Sequence, residues 1–166
     1  FFFKQKTAYE IKLVTGVQTC ALPISEEFRK RAPHARIVFV DGAMSGAVLD
    51  AMAGELGTCP AIVFATFTTN PTLNGDLGPF VQKLTEGSAP VIFVTLGNPY
   101  LLRGFPKSAA YMAAFSTVVP SEVSVVKALV GEIAVTGHLP VSIPEFAQYG
   151  DGLQLPVKTR PSLAGN

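Results

Sequence analysis

The sequence predicts an α/β protein, a three-layer α/β sandwich in which helices cover both faces of a mostly parallel sheet. Short apolar runs rich in Val, Ile and Phe alternate with amphipathic stretches along the chain. That alternation is typical of parallel strands joined by covering helices. Runs such as VIFVTLG are continuously apolar, which indicates strands buried on both faces. The longest apolar runs are only strand-sized, so the sequence predicts no transmembrane helix.

The first elements follow one another in a regular order. SEEFRKRA is predicted to be the end of a helix, and ARIVFVD, residues 35–41, the first strand. A helix over residues 46–56 comes next, because its apolar residues recur at helical spacing and Ser45 is a suitable N-cap. Residues 61–67, which follow a proline, are predicted to be the second strand.

The pattern continues through the middle of the chain. LGPFVQKLTEG is predicted to be a helix that ends at Gly87, and residues 91–97 the third strand. Asn98 and Pro99 then begin a short helix as its N-cap and its first helical residue. Residues 110–117 are predicted to be the fourth strand.

The two ends of the domain are less regular. SEVSVVKALVGE is predicted to be a helix capped by Ser121, and the Pro/Gly-rich segment after it allows one short edge strand at residues 141–143. The helix that ends near Arg31 has no recognisable strand before it. We therefore expect the sheet to be truncated at its N-terminal side, with a vacant strand position that leaves backbone groups unpaired.

The first 24 residues lack the periodicity of the rest. FKQKTAYEI and VTGVQTCALPI back-translate to parts of a common short-read sequencing adapter, and the codon of Ser25 begins with its last base. We interpret residues 1–24 as translated adapter that is not structured and packs on nothing. Residues 25–155 are then the domain itself, and residues 156–166 a C-terminal tail.

Charge and cysteine content exclude several classes of function. The chain has 13 Lys and Arg against 12 Asp and Glu; three of these lysines and one glutamate lie in residues 1–24, which leaves 10 against 11. This near-neutral remainder gives no electrostatic case for binding nucleic acid or an acidic membrane. Cys59 is the one cysteine after residue 24, and His34 and His138 lack metal-ligand spacing. We expect no disulfide within the chain, no metal site and no cofactor.

Motifs for nucleotide binding and nucleophilic catalysis are weak or missing. VFVDGAMSGAV offers only Gly42 and Gly46 in place of G-x-G-x-x-G. Ser45 has Ala43 two residues before it, where a nucleophile elbow needs glycine. Spacing along the chain does not show that any two carboxylates converge into an acid/base pair. The carboxylates considered are Asp41, Asp50, Asp76, Glu122 and Asp151.

Four segments recur together in the order and spacing of a known family. PVIFVTLGNPYLLRGFP, AYMAAFS, ALVGEIAVTGHLPVSIP and YGDGL resemble the C-terminal α/β sandwich domain of glycoside hydrolase family 3, particularly its beta-N-acetylhexosaminidase branch. The resemblance covers roughly residues 26–155. It implies a two-domain parent whose N-terminal (β/α)8 barrel carries an aspartate nucleophile and most of the sugar pocket. That barrel, and a carbohydrate substrate bound through it, are the expected partners.

The resemblance also bears on Asp76. In the beta-glucosidase branch this domain supplies a glutamate acid/base from a loop that reads roughly Glu-Gly-x-Asp-Arg, whereas NPTLNGDLGPF contains no glutamate. The difference favours the acetylhexosaminidase branch, in which a His/Asp pair on a barrel loop transfers the proton. We therefore expect no catalytic residue in this chain. Asp76 is the one candidate for a substitute acid, and a solvated or helix-capping carboxylate is the alternative.

GNPYLLRG follows the predicted end of a strand, where doubly wound folds place functional loops. Asn98, Tyr100 and Arg103 are the candidates for contact with the barrel or with the substrate. The alternative is a structural role in which Asn98 caps a helix, Tyr100 packs with its hydroxyl at an edge and Arg103 pairs locally.

The predicted function is therefore that of an accessory C-terminal domain fragment of a retaining glycosidase that removes terminal beta-linked N-acetylglucosamine, inactive by itself. Two alternatives stay open: a free-standing doubly wound module for a small ligand, and a fragment of a beta-glucosidase-type parent. A parent that recycles peptidoglycan would be cytoplasmic and one that scavenges chitin or cell wall would be secreted, and the sequence does not choose between them.

Overall fold

A parallel sheet lies between two layers of helices in the computed structural model, which describes residues 11–16 and 21–158, with side chains from residue 23 onward. The strands are β1 (Ile11–Gly16), β2 (Arg36–Val40), β3 (Ala61–Thr66), β4 (Val91–Thr95) and β5 (Ala110–Ala113). Their order in the sheet is β2-β1-β3-β4-β5, and each neighbouring pair is parallel. The predicted α/β class with a mostly parallel sheet is confirmed.

Helices cover both faces of the sheet, as the sequence predicts. The helices are α1 (Ala21–Arg31), α2 (Gly46–Leu56), α3 (Leu77–Glu86) and α4 (Val119–Leu129), with a 3-10 helix at Pro99–Gly104. α2 and α3 pack on one face, and α1 and α4 on the other. Along β3, Ile62 and Phe64 join the first core, and Val63 and Ala65 the second. This burial on both faces explains why the strand is continuously apolar. None of the described helices is long and apolar enough to cross a membrane.

Local sequence signals place most element ends correctly. α2 has the predicted bounds, with Ser45 at its N-cap, although the Ser45 side chain makes no capping hydrogen bond. α3 ends before Gly87, whose N–H bonds back to the helix. The last helix differs from the prediction, because α4 begins at Val119, two residues before the expected cap Ser121, and has Pro120 in its first turn.

The C-terminal segment does not add a strand to the sheet. The edge strand expected at residues 141–143 is instead one isolated antiparallel bridge between Ile143 and Ala147. Both residues belong to a tight local turn, in which the Phe146 and Ala147 N–H groups bond to the Ile143 carbonyl. A chain that folds back on itself within four residues cannot also pair with a neighbouring strand.

β1 corrects the prediction for the N-terminal stretch. Ile11–Gly16 occupies an interior position of the sheet, paired with β2 on one side and β3 on the other. α1 already begins at Ala21, and Ile24 is fully buried. The expectation that residues 1–24 are not structured is therefore wrong for these residues, and the strand position expected to be vacant is filled. Residues 1–10 and 17–20 lie outside the described residues.

The physical reason is the demand of the flanking strands for backbone partners. β2 and β3 would each present an unpaired edge if the position between them were empty, and buried backbone groups must be paired. IKLVTG is short, contains β-branched and apolar residues, and has no proline, so nothing in it opposes an extended conformation. The requirement for pairing decides its conformation.

A buried carboxylate ties α1 to α4. Glu122, in the first turn of α4, is completely buried, and its Oε2 accepts a hydrogen bond from the Ile24 N–H at 3.0 Å. Among the described residues its Oε1 has no hydrogen-bond partner. Burial raises the pKa of the Glu122 carboxyl, and the bond from Ile24 opposes that rise. The contact fixes the start of α1 against the neighbouring helix.

Replacing Val14 tests whether β1 belongs to the sheet. Val14 lies in register with Val38 and Phe64, so Val14→Pro removes an N–H from a two-sided ladder and should cost about 3 kcal/mol or more of unfolding free energy. Val14→Ala keeps the N–H and should cost about 1 kcal/mol. Urea unfolding of both variants makes the comparison. A proline variant as stable as wild type would show that Ile11–Gly16 packs on nothing after all.

The buried Glu122 carboxyl predicts a pH dependence of stability. Because its folded pKa is raised above the unfolded value of about 4.5, its contribution is fully present below the unfolded pKa and is lost as the pH rises through the folded pKa. Relative to Glu122→Gln, the wild type should therefore lose stability between pH 4.5 and neutrality. Glu122→Ala removes the acceptor for Ile24 and should cost about 1–3 kcal/mol at any pH. A pH-independent difference between wild type and Glu122→Gln in thermal unfolding would contradict this assignment.

Candidate functional site

The loops that follow the strands meet at one edge of the sheet, because all five strands are parallel. β2 lies on one side of β1 and β3 on the other, so the order of strands reverses between β1 and β3. Open α/β sheets bind ligands outside the carboxyl ends of their strands, at such a switch point. The candidate site is therefore this carboxyl edge, defined here by residues 41–45, 67–76 and 96–104.

Glycines allow the loops after β2 and β3 to touch. Gly75 has φ of 55°, and a Cβ there would lie 2.4 Å from the Gly42 carbonyl oxygen. A Cβ on Gly42 would in turn lie 3.0 Å from the Asn74 carbonyl oxygen. The two backbones are in direct contact, which a side chain at Gly75 would prevent. Gly42, which the sequence offered as a weak nucleotide-binding signal, serves to join these loops.

Asn98 joins the loop after β3 to the start of the 3-10 helix. Its Nδ2 donates to the Thr69 carbonyl at 2.9 Å, and its Oδ1 accepts from the Tyr100 N–H at 2.9 Å. Its own N–H donates to the Thr68 carbonyl at 2.9 Å. The predicted role of Asn98 as a cap is seen directly. Its amide group shapes the candidate site instead of projecting from it.

The first turn of the 3-10 helix is also held from below. The Tyr111 hydroxyl donates to the Pro99 carbonyl at 2.9 Å, and the Thr95 hydroxyl donates to the Asn98 carbonyl at 3.1 Å. The Tyr111 ring stacks on Phe93 with centroids 5.3 Å apart. Burial raises the pKa of the Tyr111 hydroxyl, which keeps it protonated as a donor. The segment that carries Tyr100 and Arg103 is thus rigidly placed.

Tyr100 and Arg103 remain available for contacts outside the domain. Tyr100 is half-buried and Arg103 is exposed. Within the part of the chain that the structure describes, neither the Tyr100 hydroxyl nor the Arg103 guanidinium has a hydrogen bond or ion pair. The local pairing considered for Arg103 is therefore not observed. A rigid segment that presents a phenol and a guanidinium is suited to binding a polar partner.

Asp76 sits between two helices at the same edge. It is the N-cap of α3, but its side chain makes no capping bond. Its Oδ2 lies 3.2 Å from the position that a Cβ on Gly46 would take, at the first residue of α2. A carboxylate at the positive end of a helix dipole is stabilised there. This placement is consistent with the structural alternative for Asp76.

Most of the other carboxylates also have local structural partners. Asp41 Oδ1 accepts from the Ala43 N–H at 2.8 Å, Asp50 accepts from Lys83 at 2.7 Å, and Asp151 Oδ2 accepts from the Gln148 N–H at 2.7 Å. In the described residues there is no group of three or more His, Cys, Asp or Glu side chains that could hold a metal ion. Sequence reasoning missed the burial of Glu122, because its partner Ile24 is 98 positions away.

An exposed arm, residues 131–158, follows α4. Its two limbs pair antiparallel at Val135 and Leu155, and the Leu139 N–H donates to the Asp151 carbonyl at 2.7 Å. A groove of about 420 Å³ lies between the arm, β5 and α4, and its lining includes no titratable side chain. This groove is therefore unsuited to acid/base catalysis. Large apolar side chains are exposed along the arm: Ile133, Phe146, Tyr149, Leu153, Leu155 and Val157.

Together the strand order and the converging loops define a doubly wound parallel α/β domain. No protein-family model matches the chain, and no curated protein matches it. Solved structures do match. One is a fungal multi-domain glycoside hydrolase family 3 beta-N-acetylglucosaminidase with a GCN5-related glucosamine N-acetyltransferase region, at TM-score 0.72 and 16% identity, over 90% of this chain and 17% of that one.

A second solved structure gives the same result. It is the glycoside hydrolase family 3 beta-N-acetylglucosaminidase from Paenibacillus sp. str. FPU-7, at TM-score 0.73 and 14% identity, over 86% of this chain and 29% of that one. At these identities the likeness shows a shared fold. This chain spans less than a third of either enzyme.

Gly97 provides a test of the loop contact at the site. A Cβ there would lie 2.5 Å from the Thr68 carbonyl oxygen, so Gly97→Ala must push the loops apart and should cost about 1–3 kcal/mol. Gly104 ends the same 3-10 helix and has nothing within 4 Å of a Cβ, so Gly104→Ala should change stability by less than about 0.5 kcal/mol. Equal thermal shifts for both variants would show that this contact is unimportant.

Proposed function

We propose that this chain is an accessory domain of a glycoside hydrolase family 3 enzyme whose longer parent removes terminal beta-linked N-acetylglucosamine. Its support is that the segments GNPYLLRG, GHLPVSIP and YGDGL resemble that family's C-terminal domain. Solved beta-N-acetylglucosaminidases of the same family also share the fold over 86% and 90% of this chain. The absence of glutamate from NPTLNGDLGPF favours this branch over a beta-glucosidase-type parent.

The surface of the domain supports a missing partner. Leu153, Leu155 and Val157 are each close to half exposed, and Tyr149 is 76% exposed. Exposed apolar groups clustered on one segment are typical of a surface that another domain covers. We propose that this partner is the (β/α)8 barrel of the parent chain. Tyr100 and Arg103 would then face the barrel or its substrate, with Asn98 holding them in place.

In the proposed parent, the barrel carries the chemistry. A retaining displacement needs a carboxylate nucleophile about 5 Å from an acid/base group, both directed at the anomeric carbon. The nucleophile bonds to that carbon as the leaving oxygen takes a proton, and water then releases the sugar. The described carboxylates of this chain have structural placements, and Asp76 lies beside a helix N-terminus. This domain would contribute binding and orientation.

The chain alone should therefore hydrolyse no glycoside. Purified protein incubated with 4-nitrophenyl N-acetyl-beta-glucosaminide, and separately with the beta-glucoside, should release no nitrophenol above the background, because losing the nucleophile removes several orders of magnitude of rate. Release that disappears in Asp76→Asn but persists in the exposed control Asp50→Asn would make Asp76 catalytic and would overturn the proposal.

The gene upstream of Ser25 distinguishes the proposal from its rival. We propose that the codons for residues 1–24 derive from a sequencing adapter, so the authentic upstream sequence should be recovered from uncontaminated DNA. A barrel-coding segment there supports the accessory domain. A start codon directly before this domain would instead favour a free-standing small-ligand module, and finding residues 1–24 in the genome would refute the adapter origin.

Variants of the recovered parent test the site residues. Tyr100→Ala and Arg103→Ala should each lower kcat/KM for the beta-N-acetylglucosaminide at least about tenfold, the loss expected when a positioned polar contact is removed. Arg36→Ala is the matched control, because Arg36 is an exposed arginine that pairs with Glu55 at the β2 edge. If the Arg36 variant loses as much activity as the Arg103 variant, the site assignment fails.

A further inference from the structure

We propose that the sheet position between β2 and β3 is a strand-acceptor site, which takes a parallel apolar strand of a second polypeptide in exchange for Ile11–Gly16. This inference does not rest on the proposed glycosidase function, because the site is defined by the sheet itself. Its expected ligand is an extended segment of about six residues, bound by main-chain hydrogen bonds on both sides.

The first support is the pairing of β1. All six residues of β1 are in register with β3, from Ile11 opposite Ala61 to Gly16 opposite Thr66. Five of them are also in register with β2, from Lys12 opposite Arg36 to Gly16 opposite Val40. Such ladders are made by the backbone and do not depend on side chains, so a different strand of the same length can form them.

The second support is a mismatch between the sequence of β1 and its position. Lys12 is in register with Ile62, which is fully buried, and with Arg36, a second cation. An interior parallel strand covered on both faces favours apolar residues throughout, and like charges on adjacent strands destabilise pairing. Gly16 adds a residue with low β-propensity. The position therefore favours a more apolar strand than the one that fills it.

The neighbouring strands define the preferred ligand more closely. The four β3 residues at the centre of the register, Ile62 to Ala65, are at most 2% exposed and belong to cores on both faces. A strand with Ile or Val at the position of Lys12 would match them. A proline inside the strand would prevent binding, because it removes a ladder donor.

The connection of β1 to the rest of the domain gives the exchange a practical route. Only residues 17–20 separate β1 from α1. While this link is intact, β1 competes with any added strand at the high effective concentration of an intramolecular partner. Cutting the link in the folded protein makes the competition intermolecular, so the preference of the site can be measured directly.

The experiment uses the full chain, folded first and then cut at a protease site introduced between Gly16 and Ala21. Fluorescein-labelled peptides spanning residues 11–16, with solubilising ends, are titrated into the cut protein by fluorescence anisotropy. One peptide has the wild-type sequence, one carries Lys12→Ile, and a third carries both Lys12→Ile and Val14→Pro as a matched control. The N-terminal piece is followed by size-exclusion chromatography.

We expect the N-terminal piece to remain bound after cutting and to be displaced by the Lys12→Ile peptide. That peptide should bind at least about tenfold more tightly than the wild-type peptide, and the proline peptide should not bind. The proposal is overturned if the piece leaves without lowering the unfolding temperature, or if the Lys12→Ile and proline peptides bind equally.

A measurement on the uncut chain keeps the proposal testable if cutting causes aggregation. Full-length Lys12→Ile should unfold at a higher temperature than wild type, and Lys12→Asn should not, because only the first substitution supplies an apolar residue opposite Ile62. Unchanged or lower stability of Lys12→Ile would show that the position does not prefer an apolar strand and would overturn the inference.

Discussion

The two hydrogen-bonded ladders of β1 connect β2 to the remainder of the sheet, and the other layers depend on that connection. In the described sheet β2 pairs with β1 alone, so β1 provides its sole strand contact. β1 also fixes β2 one strand away from β3, which sets the distance between the segments that follow them. The apolar faces of α1 and α2 can be buried only while this spacing is kept.

The carboxyl edge shows how far this constraint reaches. The Gly42 carbonyl lies within van der Waals distance of Gly75 because the loops after β2 and β3 reach across the end of β1. The loop after β3 in turn accepts hydrogen bonds from Asn98, which places the 3-10 helix. A change in the interior strand is therefore transmitted through backbone contacts to the segment that carries Tyr100 and Arg103.

The same edge contains little that could carry out a reaction by itself. Its carboxylates cap turns, lie beside helix ends or pair with lysine, while its two unpaired polar side chains stand on a rigid short helix. Such an arrangement favours positioning and contact over bond-breaking. It agrees with a domain that works beside a catalytic partner, and the exposed apolar arm provides a second surface where that partner could pack.

The sequence by itself determined the elements whose signals are local. Helical spacing and a following glycine defined α2 and α3, continuous apolar runs defined β3 and β4, and Asn98-Pro99 defined the start of the 3-10 helix. These signals work because the stabilising contacts lie within a few residues. The beginning of α4 was missed by two positions, since Pro120 is as acceptable in a first turn as the expected cap Ser121 is before one.

Only the tertiary structure decided the role of Ile11–Gly16 and the contact between Glu122 and Ile24. A six-residue segment with weak periodicity becomes a strand because β2 and β3 leave backbone groups unpaired on both sides of it, and that demand is made by residues up to 50 positions away. Glu122 is buried for a similar reason, since α1 and α4 meet only after the sheet has formed between the two helical layers. Neither demand leaves a mark in the local sequence, because the partners that impose it are brought together by folding.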